Sequence, residues 1–325
     1  MNRDLAHSLF YHLTLARYFE EAAAEQYTQG KIGGFLHLYP GEEAVAVGSL
    51  HAAAPGDYVV STYREHVHAL VRGTPPGAVM AELFGRSGGC SGGYGGSMHL
   101  FDAERRFLGG YAIVGETFPI AIGAAYRIRM TEAPDAVLCY FGDGAANQGT
   151  FHESLNMAAL WRLPVLFICE NNHYQIGTEI HRHSAVAEIH RRACAYGMEG
   201  RRVDGMDVLA VLEATQEALA HIRAGHGPVL LECETYRYRG HSMADHGAYR
   251  SQLEVAEFRA RDPLRRFREL AAEKGWLSAE EADELDQRAQ RTVDEAVAFA
   301  EASPPPTELE KDVYVHPLDL YGGGR

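Results

Sequence analysis

Apolar residues recur at helical spacing from the start of the chain. Leu5, Leu9, Leu13 and Ala16 fall on one face of a helix expected over 1–27. A second helix is expected over 42–53, and a short strand over 57–60 leads into Ser61, Thr62, Tyr63 and Arg64. Pro75 and Pro76 open another helical stretch that runs to Phe84. The clearest signal lies mid-chain, where a buried strand over 136–141, a helix over 149–161 and a strand over 164–169 form a βαβ unit. Short apolar runs bounded by glycine are the pattern of a parallel sheet buried on both faces. Helices over 184–196 and 207–224 flank a strand over 228–235. Charged helices then run from Gln252 to Ala302, until Ser303 and three prolines break the pattern.

This alternation predicts an α/β fold, with a parallel sheet flanked by helices on both faces and a helical C-terminal region. A single domain over 1–325 is expected, with an N-terminal helix at 3–28, an α/β core at about 34–250 and C-terminal helices and tail at about 251–325. A chain of 325 residues, 46% hydrophobic, is large enough to bury a substantial core without staples. The net charge of −14, with no basic arm, argues against nucleic acid as a partner. Apolar runs such as 164–169 are too short to cross a bilayer, so no membrane association is expected. Asp4, Glu20, Glu21 and Glu25 in the first helix argue against a transit peptide, and a cytoplasmic location is expected. The five cysteines form no CxxC pair, which fits a reducing compartment and no zinc site.

Gly142, Asp143 and Gly144 end one predicted strand, and Asn171 and Asn172 end the next. Open parallel sheets bind ligands outside the carboxyl ends of their strands, so both groups face one crevice. A carboxylate and an amide oxygen are hard ligands suited to magnesium that shares its remaining positions with a phosphate. Gly144 and Ala145 precede a helix, whose N–H groups and positive end favour the same phosphate. The bland alternative makes Asp143 a helix cap and the asparagines a turn. Their coincidence at matching strand ends favours a site. The glycine-rich segment 88–96 lacks the lysine of a P-loop and is expected to be a close-packed loop.

A GDG followed across a βαβ crossover by NN resembles the thiamine diphosphate signature. Segments 34–44 (GFLHLYPGEEA), 61–68 (STYREHVH), 142–149 (GDGAANQG), 169–172 (CENN) and 236–245 (YRYRGHSMAD) are similar to the alpha subunits of pyruvate dehydrogenase-type 2-oxo acid decarboxylases. The resemblance runs from the first helix to near the C terminus, and it implies a thiamine-diphosphate-binding fold. It further implies magnesium ligation by Asp143, Asn172 and the Tyr174 carbonyl, with Gly144 and Ala145 on the diphosphate. Tyr63, Arg64, Arg237 and His241 would complete the phosphate and active-site shell, arginine being suited by its permanent charge and planar fork.

Backbone atoms of Ala112, Ile113 and Val114 would hold the aminopyrimidine ring, Ala112 standing where many relatives carry glycine. His37, His66 and His241 become the candidate catalytic groups, imidazole being able to move a proton near neutral pH; taken singly, His37 and His66 would be ordinary surface or core residues. His181, His183, His190, His221 and His226 receive no role. Ser242 matches a regulatory phosphoserine of animal relatives, whereas Glu179 and Ala248 stand where others would be. The resemblance also implies a beta subunit that supplies a glutamate to the cofactor, an assembly of two alpha and two beta chains, and a lipoyl domain of dihydrolipoyl acetyltransferase as acceptor. The loop 237–250 is expected to order over the diphosphate. Alternative readings are an acetoin dehydrogenase alpha subunit, a magnesium-dependent phosphotransferase using Asp143, and a non-catalytic binding subunit.

Overall fold

A computed structural model of the chain describes residues 1–308; the part of the expected C-terminal tail beyond residue 308 lies outside the described residues. The first helix, α1 (Arg3–Thr28), starts where the Asn2 side chain accepts the Leu5 N–H at 2.8 Å. This satisfies one of the donors that a helix leaves unpaired at its N-terminus. There follow α2 (Glu43–Ala52), β1 (Tyr58–Thr62), α3 (His66–Arg72), α4 (Pro76–Leu83), β2 (Phe107–Tyr111) and α5 (Thr117–Met130). The central unit is β3 (Val137–Gly142), α6 (Gly149–Leu160) and β4 (Val165–Asn171), close to the limits expected from sequence. A small hairpin, β5 (Tyr174–Gln175) with β6 (Thr178–Glu179), leads to the single turn α7 (Ile180–His183) and then to β7 (Glu199–Asp204), α8 (Val208–Arg223) and β8 (Val229–Glu234). Three helices close the described chain: α9 (Gln252–Arg259), α10 (Pro263–Glu273) and α11 (Ala279–Ala302), the last opened by a Ser278–Glu281 capping box.

Six strands form one parallel sheet in the order β2-β1-β3-β4-β8-β7. Alternate residues of the central strands divide cleanly between two cores, as the two-residue period of a strand requires. Leu138, Tyr140, Leu166, Ile168 and Leu231 face Phe19 of α1, Val79 of α4, Leu219 of α8 and Val293 of α11. Val137, Cys139, Phe141, Phe167 and Cys169 face Phe118 of α5 and Phe151 and Leu155 of α6. Among the described residues no helix is long and apolar enough to cross a membrane. The cysteines are unpaired, and Cys139, Cys169 and Cys233 are buried in the sheet as small hydrophobes.

The continuous helix expected over 184–196 is not formed. The segment turns as a 3-10 helix only over Ile189–Tyr196, because Ile189 and Ala193 are its only buried apolar residues and give too small a face to hold an α-helix. The glycine-rich loop is close-packed, as expected, and its organiser is Glu82 of α4. That carboxylate is fully buried and accepts the N–H groups of Ser91, Gly93, Gly95 and Gly96 at 2.7–3.1 Å. A Cβ on Gly89 would stand 2.2 Å from Glu82 Oε2, so the loop closes this tightly only with glycine there.

Candidate active site

The strand order reverses direction at β1: β2 lies on one side of it and β3 on the other. Loops leaving two such strands separate above the sheet and open a crevice, which is where ligands of open α/β sheets bind. A cleft of about 230 Å³ occupies this position. Tyr63 and Arg64 enter it after β1, Ala112, Ile113 and Val114 after β2, Asp143, Gly144 and Ala145 after β3, Asn172 and Tyr174 after β4, and Arg237 and His241 after β8. With His37, the sequence-derived set converges on one cavity from segments far apart in the chain. His66 alone does not line it. Its ring is buried, with Nδ1 3.0 Å from the Glu20 carboxylate and Nε2 2.8 Å from Ser97 Oγ. It braces the loop behind the cleft, so the structure does not bring it to the cavity with His37 and His241.

Asp143, Asn172 and the Tyr174 carbonyl fit a hard cation. Asp143 is 1% exposed, its Oδ2 sits 3.1 Å from His183 Nε2, and among the described residues Oδ1 has no hydrogen-bond partner. The Asn172 amide is oriented by its neighbours, Nδ2 donating to Glu42 at 3.2 Å while Oδ1 receives the Tyr174 N–H at 3.3 Å. Its oxygen is therefore on the hairpin side. The hairpin is tightly built. His173 and Ile176 both have positive φ, 70° and 54°, a rare state for non-glycine residues and costly for a β-branched one. A Cβ on Gly144 would come 2.6 Å from Gln175, so glycine is what lets the turn after β3 pack under the hairpin.

Gly144 and Ala145 precede α6, as expected from sequence, but do not run directly into it. They lie in a separate 3-10 turn, Asp143–Asn147, because Gln148 is extended and interrupts the chain before α6 begins at Gly149. Any N–H contact to a phosphate at Gly144 and Ala145 therefore comes from this turn and not from the end of α6.

Both arginines are buried, Arg64 4% and Arg237 1% exposed, and they are held by main-chain oxygens. Arg64 donates to the carbonyls of Leu38 and His241. Arg237 donates to the Ile176 carbonyl and the Tyr249 hydroxyl, both at 2.9 Å, and more distantly to Tyr174 O at 3.4 Å. Arg250 in turn donates to the carbonyls of Arg237, Tyr238 and Arg239, tying down the loop that carries His241.

The rings of His37, Tyr63 and His241 form a cluster with centroids 4.4–5.7 Å apart. Burial, with the positive charge of Arg64 adding to it, pushes His37 down to about 2. Burial and the same Arg64, with Arg237, push His241 down to about 4. Both rings are therefore neutral at pH 7 in this cleft, each with one nitrogen able to donate a hydrogen bond and one able to accept.

Two functional neighbours escaped the sequence reading. Glu42, fully buried beneath the cleft, contacts Asn172 and lies 3.9 Å from Arg64 Nε. Burial raises its carboxyl to about 8 against the pull of Arg64, so much of it is protonated at neutral pH. His183, to which the sequence gives no role, contacts Asp143. Glu42 sits inside segment 34–44 and was within reach of the same comparison; nothing local to His183 announces its partner.

A family model described as "Dehydrogenase E1 component" matches residues 11–308. The chain is 45% identical over 314 residues to "Pyruvate dehydrogenase E1 component subunit alpha" of Porphyra purpurea, covering 94% of this chain and 91% of that protein. It is 47% identical over 304 residues to the protein of the same description from Rhizobium meliloti (strain 1021), with 93% and 87% covered. To "Pyruvate dehydrogenase E1 component subunit alpha-3, chloroplastic" of Oryza sativa subsp. japonica it is 44% identical over 328 aligned positions, with 98% and 77% covered.

Proposed function

Because this chain belongs to the dehydrogenase E1 component family, we propose that it is the alpha subunit of a pyruvate dehydrogenase, which binds thiamine diphosphate and acts together with a beta subunit. The observation that carries this reading is the convergence of Asp143, Asn172 and the Tyr174 carbonyl with Arg64 and Arg237 on one cleft at the sheet's switch point. In that cleft Asp143, Asn172 and the Tyr174 carbonyl would hold magnesium, and the magnesium would hold the diphosphate. Arg237 and Arg64 would offer guanidinium donors to the phosphate oxygens. Ala112, Ile113 and Val114 would present main-chain atoms to the aminopyrimidine ring. Thiamine diphosphate, when bound, supplies the nucleophilic carbon and the electron sink that decarboxylation of a 2-oxo acid requires. His37 and His241 would gain basicity once anionic phosphate or carboxylate lies beside them, and could then orient the substrate carboxylate or transfer a proton.

The active assembly is proposed to contain two alpha and two beta chains in the cytoplasm, passing an acetyl unit to the lipoyl domain of dihydrolipoyl acetyltransferase. The test is reduction of an artificial electron acceptor by the co-purified alpha and beta chains with thiamine diphosphate and magnesium, supplied with pyruvate, acetoin or branched 2-oxo acids. Turnover with pyruvate is the expected result. Turnover with acetoin alone would keep the site and change the substrate, and full activity of the alpha chain by itself would refute the shared assembly.

A further inference from the structure

Arginine is a donor only, and that fixes the direction of every hydrogen bond in a short chain of side chains behind Asp143. Arg192 Nη1 donates to the Ala146 carbonyl at 2.6 Å and to Asn147 Oδ1 at 3.0 Å, while Nη2 donates to Ser184 Oγ at 3.0 Å. With Asn147 Oδ1 so occupied, its Nδ2 is the donor, its two hydrogens within reach of the His183 carbonyl and His183 Nδ1, both at 3.1 Å, and of Ser184 Oγ. Ser184 Oγ also accepts from Asn147 Nδ2 at 3.2 Å, which leaves its own hydrogen for His183 Nδ1 at 3.0 Å. The Ser184 hydroxyl therefore donates to the lone pair of His183 Nδ1, and the ring proton resides on Nε2. That N–H lies 3.1 Å from Asp143 Oδ2, in a side chain only 8% exposed. His183 does not line the cleft, so it acts on the site only through the carboxylate.

Resting on the proposed magnesium ligation by Asp143, we infer that His183 is a positioning residue: its Nε2–H engages Asp143 Oδ2 and sets the carboxylate so that Oδ1 alone is offered to the metal. A carboxylate free to rotate can present either oxygen or both, whereas a magnesium octahedron tolerates little misplacement. Hydrogen-bonded partners of ligating carboxylates tune metal affinity in this way. Arg192 anchors the far end, so the orientation of one metal ligand is transmitted from the 3-10 turn Ile189–Tyr196 through Asn147 and Ser184. Sequence position hides this relay, since His183 lies 40 residues from Asp143.

The test titrates Mn²⁺, followed by the electron paramagnetic resonance of the free ion, into the co-purified alpha and beta chains with thiamine diphosphate present. His183→Ala is expected to weaken Mn²⁺ binding by about 10–100-fold, while His183→Gln, whose amide N–H can replace Nε2–H, stays within about threefold of the parent. Urea unfolding of each variant is measured alongside, and the expected pattern is a loss of metal affinity for His183→Ala with an unchanged midpoint for His183→Gln. If His183→Ala binds Mn²⁺ as the parent does, or if the Gln variant loses as much as the Ala variant, the positioning role is wrong. Asp143→Ala separates the two levels. Abolished Mn²⁺ binding there sustains the metal site and leaves the His183 variants to decide the positioning role alone, whereas retained binding overturns the metal site itself and the inference with it.

Discussion

Glu82→Gln is a nearly isosteric change at the centre of the glycine-rich loop, and its cost follows from the donors around it. In the parent, Oε2 accepts Ser91 and Gly93 N–H groups at 2.8 Å each, and Oε1 accepts Gly95 and Gly96 at 2.7 and 3.1 Å. Glutamine keeps one oxygen and puts an NH2 group against the other pair. Two buried donors then face another donor, and each unsatisfied group costs about 1–3 kcal/mol, giving about 2–6 kcal/mol in all. Urea unfolding of the purified assembly measures the total, and hydrogen exchange by mass spectrometry over residues 86–100 locates it, because the amides freed by the change are the ones that should exchange faster. Cofactor affinity should fall as well, since the loop carries Met98, which lines the cleft, and Ser97, which holds His66. A loss below about 1 kcal/mol with unaltered exchange would refute the argument that this carboxylate organises the loop.

Arg237→Lys should weaken thiamine diphosphate binding by about tenfold or more in isothermal titration, because one ammonium cannot span Ile176 O, Tyr249 Oη and Tyr174 O together. His12 lies 2.9 Å from His51 and is held down to about 4, by burial first and His51 next, against 6.5 when unfolded. Its stabilising contribution is present above pH 6.5 and is lost as pH falls towards 4, by about 2 kcal/mol at pH 5. His12→Asn should therefore flatten the fall in urea midpoint between pH 7.5 and 5, and an unchanged slope would refute the assignment. Glu42 has the opposite sign. Raised from 4.5 to about 8, it contributes stability at low pH that is lost as pH rises through 8, so Glu42→Gln should be relatively more stable at pH 9 than at pH 5 when each is compared with the parent.

The central βαβ unit was legible because its strands are buried on both faces, and the continuous apolar runs of β3 and β4 say so directly. Other elements were hidden for physical reasons. β2 contains two adjacent glycines, β7 is an edge strand carrying Glu199, Arg201 and Arg202, and neither offers an apolar run. α5 buries Phe118, Ala121, Ile122, Ala125 and Ile128 but also exposes Ile120, Tyr126 and Met130, so apolar residues surround it and its periodicity is washed out. The residues that line the cleft could be gathered from sequence because strand-end motifs mark a ligand crevice and the family resemblance extended them. His66 falls outside the lining, because a histidine beside a site in sequence can face either way. His183 was missed because only folding brings it to Asp143.

The two arginines of the cleft are already immobilised. Arg64 and Arg237 are pinned to the chain's own carbonyl oxygens, so the rotamer freedom that long side chains usually surrender on meeting an anion was surrendered when the chain folded. The two guanidinium groups are accordingly presented in place, without a search among rotamers. On the proposed reading, a diphosphate would meet donors already in place, and little of its binding energy would go to ordering these two side chains.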